Sequence, residues 1–293
     1  MTYYRTLSLA LAILLCAGCS TRFAYNYLDW WLDWTIEDYV SLDKQQQAST
    51  AKAIDRLHQW HRHEQLPLYA DYLDNLSQTL TSDQLSEEQL NQLLDQGFDL
   101  WTTLLNALLD DSATLLQSLS DKQVAELFSN IEKYQETEFA KKYADTDTEA
   151  LKQRSLQNRH KFYKTWLGSI TEEQETIIAH WHEQSQPFGP TALQQRRHWR
   201  EEFATLLAQR QAQDFAPQLA ELFHYPPERW VDSYREQVKH NQRINQQLIL
   251  ALHPTLSDKQ KRHCQKRLQG YIKDFQILAR QGLTDAEKKK EST

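Results

Sequence analysis

Five times along this 293-residue chain an apolar residue is followed by a capping side chain, two polar residues and a glutamine. The copies are Leu85-Ser86-Glu87-Glu88-Gln89, Leu119-Ser120-Asp121-Lys122-Gln123, Ile170-Thr171-Glu172-Glu173-Gln174 and Leu256-Ser257-Asp258-Lys259-Gln260, with Leu42-Asp43-Lys44-Gln45-Gln46 as a looser one. Each is a capping box. The Ser, Thr or Asp oxygen accepts from the third helical N–H, and the glutamine reaches back to the cap's own N–H. Acidic residues between them favour the positive end of the helix. Each cap is worth about 1 kcal/mol. The device predicts helix starts spread over the whole chain, and by itself it implies nothing more.

Strand signals are nearly absent: there are only six glycines, and no hairpin dipeptide stands between alternating segments. Apolar residues recur at helical spacing instead. Residues 86–109 have the clearest period, with Leu90, Leu94, Phe98, Trp101, Leu105 and Leu108 on one stripe that Leu93, Leu104 and Leu109 widen. So broad a face predicts a helix in the middle of a bundle. Residues 43–65 form an earlier helix, and Pro67 ends it or starts the next. In 257–280 the predicted buried face is Leu268, Tyr271, Ile272, Phe275 and Leu278. Breaks fall at 144–149, at Gly168 and at Pro187-Phe188-Gly189-Pro190. The fold class is all-α: an elongated bundle of about nine to ten helices, as one body or as two abutting sub-bundles.

The charge is uneven. Residues 19–150 hold 9 Lys and Arg against 24 Asp and Glu, whereas 151–293 hold 23 against 16. The chain therefore divides into an acidic half, 19–167, and a more basic half, 168–285, with a charged tail over 286–293. Attraction between the halves, or solvated faces alone, is the safer reading, and a basic surface for an anionic partner is the other. A sequence pI near 5.9 makes nucleic acid a poor partner.

Residues 23–40 predict a first helix crowded with aromatics: Phe23, Tyr25, Tyr27, Trp30, Trp31, Trp34 and Tyr39. Asp29, Asp33 and Glu37 form an acidic stripe along it. A helix lying on a membrane shows basic residues to anionic headgroups, and this one shows carboxylates. The aromatics are therefore expected to build the core. Tyr25, Trp30, Trp31, Trp34 and Trp60 are the candidate core or interaction residues.

The N-terminus has a short head with one positive charge, then an almost unbroken apolar run over 7–15 that closes on Cys16-Ala17-Gly18-Cys19. That run is far below the ~20 residues of a membrane-spanning helix and reads as a signal segment, residues 1–18. The junction resembles the bacterial lipobox, although Cys16 stands where the box usually has leucine. The resemblance implies cleavage between Gly18 and Cys19, a diacylglycerol on the Cys19 sulfur and an acyl group on its nitrogen. It implies no other cofactor. Ser20, rather than Asp, follows the cysteine; by the sorting rules of such proteins this implies the outer membrane, with the body in the periplasm and the inner membrane as the lesser alternative. With Cys19 acylated, Cys264 has no cysteine left to pair with.

No Gly-rich phosphate loop, nucleophile elbow, HExxH or paired CxxC is present. The densest candidate chemistry is His58 and His61, three apart on one helical face, with His63 and Glu64 beside them. Together with an acidic residue they are a potential zinc or copper site. His180, His182 and Glu183 form a second group. Trp60 and Trp181 sit inside the two groups, so packing at a helix end competes with ligation, and no metal is assigned.

Phe23-Ala24-Tyr25-Asn26-Tyr27-Leu28-Asp29-Trp30-Trp31-Leu32, Leu57-His58-Gln59-Trp60-His61 and Glu64-Gln65-Leu66-Pro67-Leu68-Tyr69 resemble an uncharacterised family of proteobacterial lipoproteins. The resemblance implies class and location, not an activity. The repeated boxes also resemble, more distantly, the LTxxQ motif of small periplasmic stress proteins such as the Spy-like chaperones. The functional expectation is a lipid-anchored, periplasm-facing envelope protein, non-enzymatic, that presents a helical surface to an envelope protein partner. The alternatives are a periplasmic chaperone and a histidine-based metal binder.

Overall fold

The computed structural model describes the backbone of residues 19–143 and 148–291, with the side chains of 21–138, 149–189 and 191–281. The described residues are helical with no strand. In chain order the helices are α1 (Cys19–Asn26), α2 (Leu28–Tyr39), α3 (Lys44–Trp60), α4 (Leu66–Thr81), α5 (Glu87–Ser118), α6 (Asp121–Tyr143), α7 (Thr148–Leu167), α8 (Glu172–Gln184), α9 (Gly189–Ala208), α10 (Phe215–His224), α11 (Asp232–Leu252) and α12 (Asp258–Glu291). The break expected over 144–149 falls largely outside the described residues. The other two stand: Gly168 closes α7 at φ +80°, and Pro187 lies between α8 and α9.

All five capping boxes form, and four of them do a second job that the sequence reading did not attribute to them. Gln46 Nε2 donates to the Ser118 carbonyl at 2.9 Å, and Gln123 Nε2 donates to the Ser41 carbonyl at 2.9 Å. The two amides also pair with each other, Gln123 Nε2 to Gln46 Oε1 at 2.6 Å and the reverse bond at 3.3 Å. Gln174 and Gln260 repeat this bond for bond. Gln174 donates to Thr255 O and to Gln260 Oε1, while Gln260 donates to Ser169 O and to Gln174 Oε1. In every case the glutamine caps its own helix and also satisfies the carbonyl two residues before its partner's cap. Two pairs of helix starts, α3 with α6 and α8 with α12, are thereby fastened head to head. Gln174 and Gln260 are buried, so their amides have no water to fall back on and pairing is obligatory. The fifth box, Ser86 with Gln89, stays on the surface as a simple helix start.

Each core cluster draws on distant segments. The largest joins Val40 and Leu42 to Ala113 and Leu119, to Phe203 and Leu207 of α9, and to Phe215, Leu219 and Leu222 of α10. The second packs Leu66, Ala70 and Leu73 of α4 against Leu268, Tyr271, Ile272, Phe275 and Leu278 of α12. The face expected of 257–280 is therefore the buried one. Bonds from Lys261 to Ser82 and from Gln265 to Thr81, with Tyr69 on Phe275, show that α4 and α12 run antiparallel. A third cluster sets Ile178 of α8 on Leu248 and Leu252 of α11. Arg210 with Asp121, Arg200 with Glu132 and Lys261 with Asp83 bring basic residues of the later chain onto carboxylates of the earlier chain.

One expectation is corrected. The stripe of α5 does not lie in the middle of the bundle along its length: Leu90 and Leu105 are buried, but Phe98 is 65% exposed and Leu94 faces solvent. The helix is turned so that Gly97 meets the Tyr72 hydroxyl instead. Of the two roles open to Pro67 the structure takes the second: it stands in the first turn of α4 and starts that helix. The chain passes through a π turn, His61–Gln65, closed by the Leu66 N–H on the His61 carbonyl, straight into α4. Proline cannot donate to the carbonyl four residues back and clashes with it. One inserted residue absorbs the misfit, as π turns do.

Candidate functional site

The N-terminal aromatic segment and the histidine cluster beneath it are one assembly. Tyr27, at φ −109° and ψ 12°, divides the aromatic stretch into α1 and α2. On the inner side of α1, Thr21 is buried and Arg22 pairs with the buried Asp274 of α12, Nε to Oδ1 at 3.1 Å. Burial pushes the Asp274 carboxyl up, and Arg22 and Lys273 pull it part of the way back.

Tyr25 is the centre of the clamp. Its hydroxyl lies 2.9 Å from His61 Nδ1. Desolvation, aided by His58 and Arg62, holds His61 down at about 4, and burial raises the Tyr25 phenol. Both groups are therefore neutral at pH 7, and a single neutral hydrogen bond joins the phenol to the ring nitrogen. The Tyr25 ring lies 4.8 Å from His58 and 5.7 Å from His61, and the Arg62 guanidinium is 5.1 Å above it. Arg62 Nη2 donates to Asn26 Oδ1 at 3.0 Å and faces His58 Nε2 at 3.4 Å. The π turn brings Arg62 and Gln65 inward to buried positions between α3 and α4. His61 also meets Tyr69, which meets Phe275, so α1, the π turn, α4 and α12 interlock.

The candidate ligands His58, His61 and Glu64 are not assembled as a metal site. An arginine cation occupies the space at His58 Nε2, a phenol caps His61 Nδ1, and Glu64 points to solvent. Among the described residues no three His, Cys, Asp or Glu are grouped as a metal needs. In the second histidine group, His182 is buried and its Nε2 donates to the Lys152 carbonyl at 3.0 Å, while His180 meets Gln184 on the surface. Burial depresses both His58 and His182. Cys264 is buried, and its thiol is pushed up to about 11.

The aromatics divide in a way that corrects the expectation of a core helix. Tyr25 points in and Trp60 is half-buried against His61, but α2 buries no residue. Phe23, Tyr27, Trp30, Trp31 and Trp34 all face solvent, Phe23 and Trp30 at 66% exposure. Besides Tyr25, which packs on the α4–α12 cluster, Ile36, Tyr39 and Val40 at the end of the segment reach the core. Hydrophobic spacing identifies a stripe but not which of two faces the bundle takes, and here the bundle takes the other one. Arg62, Asn26, Arg22 and Asp274 were not singled out from the sequence; the pairs Arg62–Asn26 and Arg22–Asp274 join residues 36 or more apart.

The family model of DUF6279, a family of unknown function, matches residues 38–235. The chain belongs to DUF6279. The match opens near the end of α2 and closes at the start of α11. The exposed aromatic stripe therefore precedes it and α12 follows it, although both pack onto the DUF6279 body through the clamp and the α4–α12 core. No curated protein and no solved structure matches the chain.

Proposed function

We propose that this DUF6279 protein is a bacterial envelope lipoprotein of the proteobacterial kind, held to the periplasmic face of the outer membrane by a diacylglycerol and an N-acyl group on Cys19. It acts without catalysis, as a helical body presented to an envelope partner. One observation carries the reading: the short apolar run over 7–15 closes on Cys16-Ala17-Gly18-Cys19, and directly after the small pair Ala17-Gly18 the Cys19 thiol supplies the nucleophile that a lipid transfer needs. Acyl chains bury methylenes at about 0.8 kcal/mol each, so two or three chains anchor stably. No helix among the described residues is long and apolar enough to cross a membrane. The non-enzymatic reading is supported by how the buried titratable groups are used. His61 shares a hydrogen bond with Tyr25, His58 faces Arg62 and His182 donates to a main-chain carbonyl, so each is taken up in a structural contact.

The test is the fate of Cys19→Ser. The wild-type protein should carry acyl mass on its N-terminal cysteine and fractionate with the outer membrane. The variant should lose the acyl mass and leave that fraction while keeping its helical circular dichroism. A serine variant that fractionates as before would refute the anchor. A purified protein that turns over a substrate in an activity screen would refute the non-enzymatic reading.

A further inference from the structure

Of the eleven large hydrophobic residues that stand exposed among the described residues, five fall between positions 23 and 34; the other six are scattered over 68–188. Phe23 and Tyr27 are one turn apart along α1, and Tyr27, Trp30 or Trp31, and Trp34 follow at three- and four-residue steps along α2, so the strip of exposed aromatics runs on from one helix to the next. Phe23 and Tyr27 already touch, ring to ring at 4.7 Å. The strip starts one helical turn after Cys19. It is held in a fixed attitude by the Tyr25–His61–Arg62 clamp and the Arg22–Asp274 pair on the opposite side of α1.

Its composition narrows what covers it. The exposed members of α2 are Trp rather than Leu or Ile; the aliphatic Leu28, Leu32 and Ile36 are partly buried. Tryptophan and tyrosine belong at the junction of apolar and wet phases, where a ring is half immersed. Asp29, Asp33, Glu37 and Asp38 stand among them, and α2 holds no Lys or Arg. Exposed indoles beside carboxylates are the chemistry that receives an ammonium group, by cation–π attraction and by charge. They repel a surface of bare phosphates.

Resting on the lipoprotein reading, we infer that the α1–α2 strip is a bilayer-docking surface for zwitterionic phospholipid headgroups that carry an ammonium group. The acyl chains on Cys19 bring the strip to the interface. The strip then lays the body against it in one orientation, instead of leaving it to swing on a tether. The carboxylates that argue against a helix of the basic, anion-seeking kind set the lipid preference.

The full-length acylated protein, reconstituted in phosphatidylcholine vesicles with acyl chains brominated near the headgroup, tests this by quenching of tryptophan emission. The strip holds three of the nine tryptophans, so the wild type should lose up to about a third of its emission. Trp30→Ala, Trp31→Ala and Trp34→Ala together should abolish that loss, with unchanged circular dichroism and continued flotation through the acyl chains. Trp34→Phe, which preserves shape, should remove a single tryptophan's share and serves if the triple variant folds poorly. Replacing half the lipid with phosphatidylglycerol should reduce quenching, and added salt should restore it. Vesicle-bound wild type with unquenched emission would overturn the docking surface while leaving the anchor intact; stronger quenching on anionic vesicles would overturn the headgroup assignment. If mass spectrometry finds Cys19 unacylated, the lipoprotein reading fails. Quenching of that unacylated protein would still uphold the strip, and no quenching would end both.

Discussion

Helix α2 carries three tryptophans in twelve residues and buries none of its side chains, whereas α12 is crowded with Lys, Arg and Gln and buries Leu268, Tyr271, Phe275 and Leu278 against α4. Their starts differ in the same sense. Tyr27, before α2, makes no side-chain cap bond, while the box at Ser257 caps α12 and its Gln260 also closes the start of α8. The helix richer in aromatics contributes less to the fold. Apolar content therefore says how much surface a helix can hide, and only its neighbours say whether it does. An aromatic face left outside by a body that buries its other helices well is surface kept for something beyond the chain.

That contrast is breakable at several points. The largest effect belongs to the α12 core: Leu278→Ala, at a position with no exposure, should cost about 2–5 kcal/mol in urea denaturation. Acid comes next. His61 is held at about 4 in the folded protein against an ordinary value of 6.5. The unfolded chain therefore binds the extra proton first. The stability contributed by neutral His61 is complete above pH 6.5 and is lost as the pH falls towards 4, by up to on the order of 3 kcal/mol. His58 and His182 shift in the same direction and steepen the loss. Hydrogen exchange should report the release of α1 over the same interval. Gln260→Ala should cost about 1–3 kcal/mol because it leaves buried polar groups unpaired, against about 0.5–1 kcal/mol for the surface box variant Gln89→Ala. Tyr25→Phe, which deletes one hydroxyl from the clamp, should cost about 1 kcal/mol. Smallest of all, Trp30→Ala should change stability by less than about 0.5 kcal/mol.

The helices were readable from the chain because their signals are local. A capping box spans four residues, and all five of them start helices. The pairing of Gln46 with Gln123 and of Gln174 with Gln260 joins residues 77 and 86 apart, and no local pattern announces such a bond. The histidine cluster was visible as a cluster, but its role was not, because Tyr25, the residue that defines it, lies 36 positions upstream of His61. The aromatic strip was visible as a strip. Its direction follows from the clamp on the other side of α1, which depends on Asp274 at the far end of the chain.

The central claim, that the α2 face meets lipid, is tested most directly by a spin label. Once Cys19 is acylated and with Cys264 buried, an introduced cysteine is the reactive thiol of choice. Labels at Tyr27→Cys on the strip and at Phe98→Cys on α5 replace two exposed aromatics, one inside the proposed surface and one outside it. In vesicle-bound protein the label at 27 should be relaxed more by oxygen than by a water-soluble nickel chelate, and the label at 98 more by the chelate. Equal chelate access at the two positions would contradict the account.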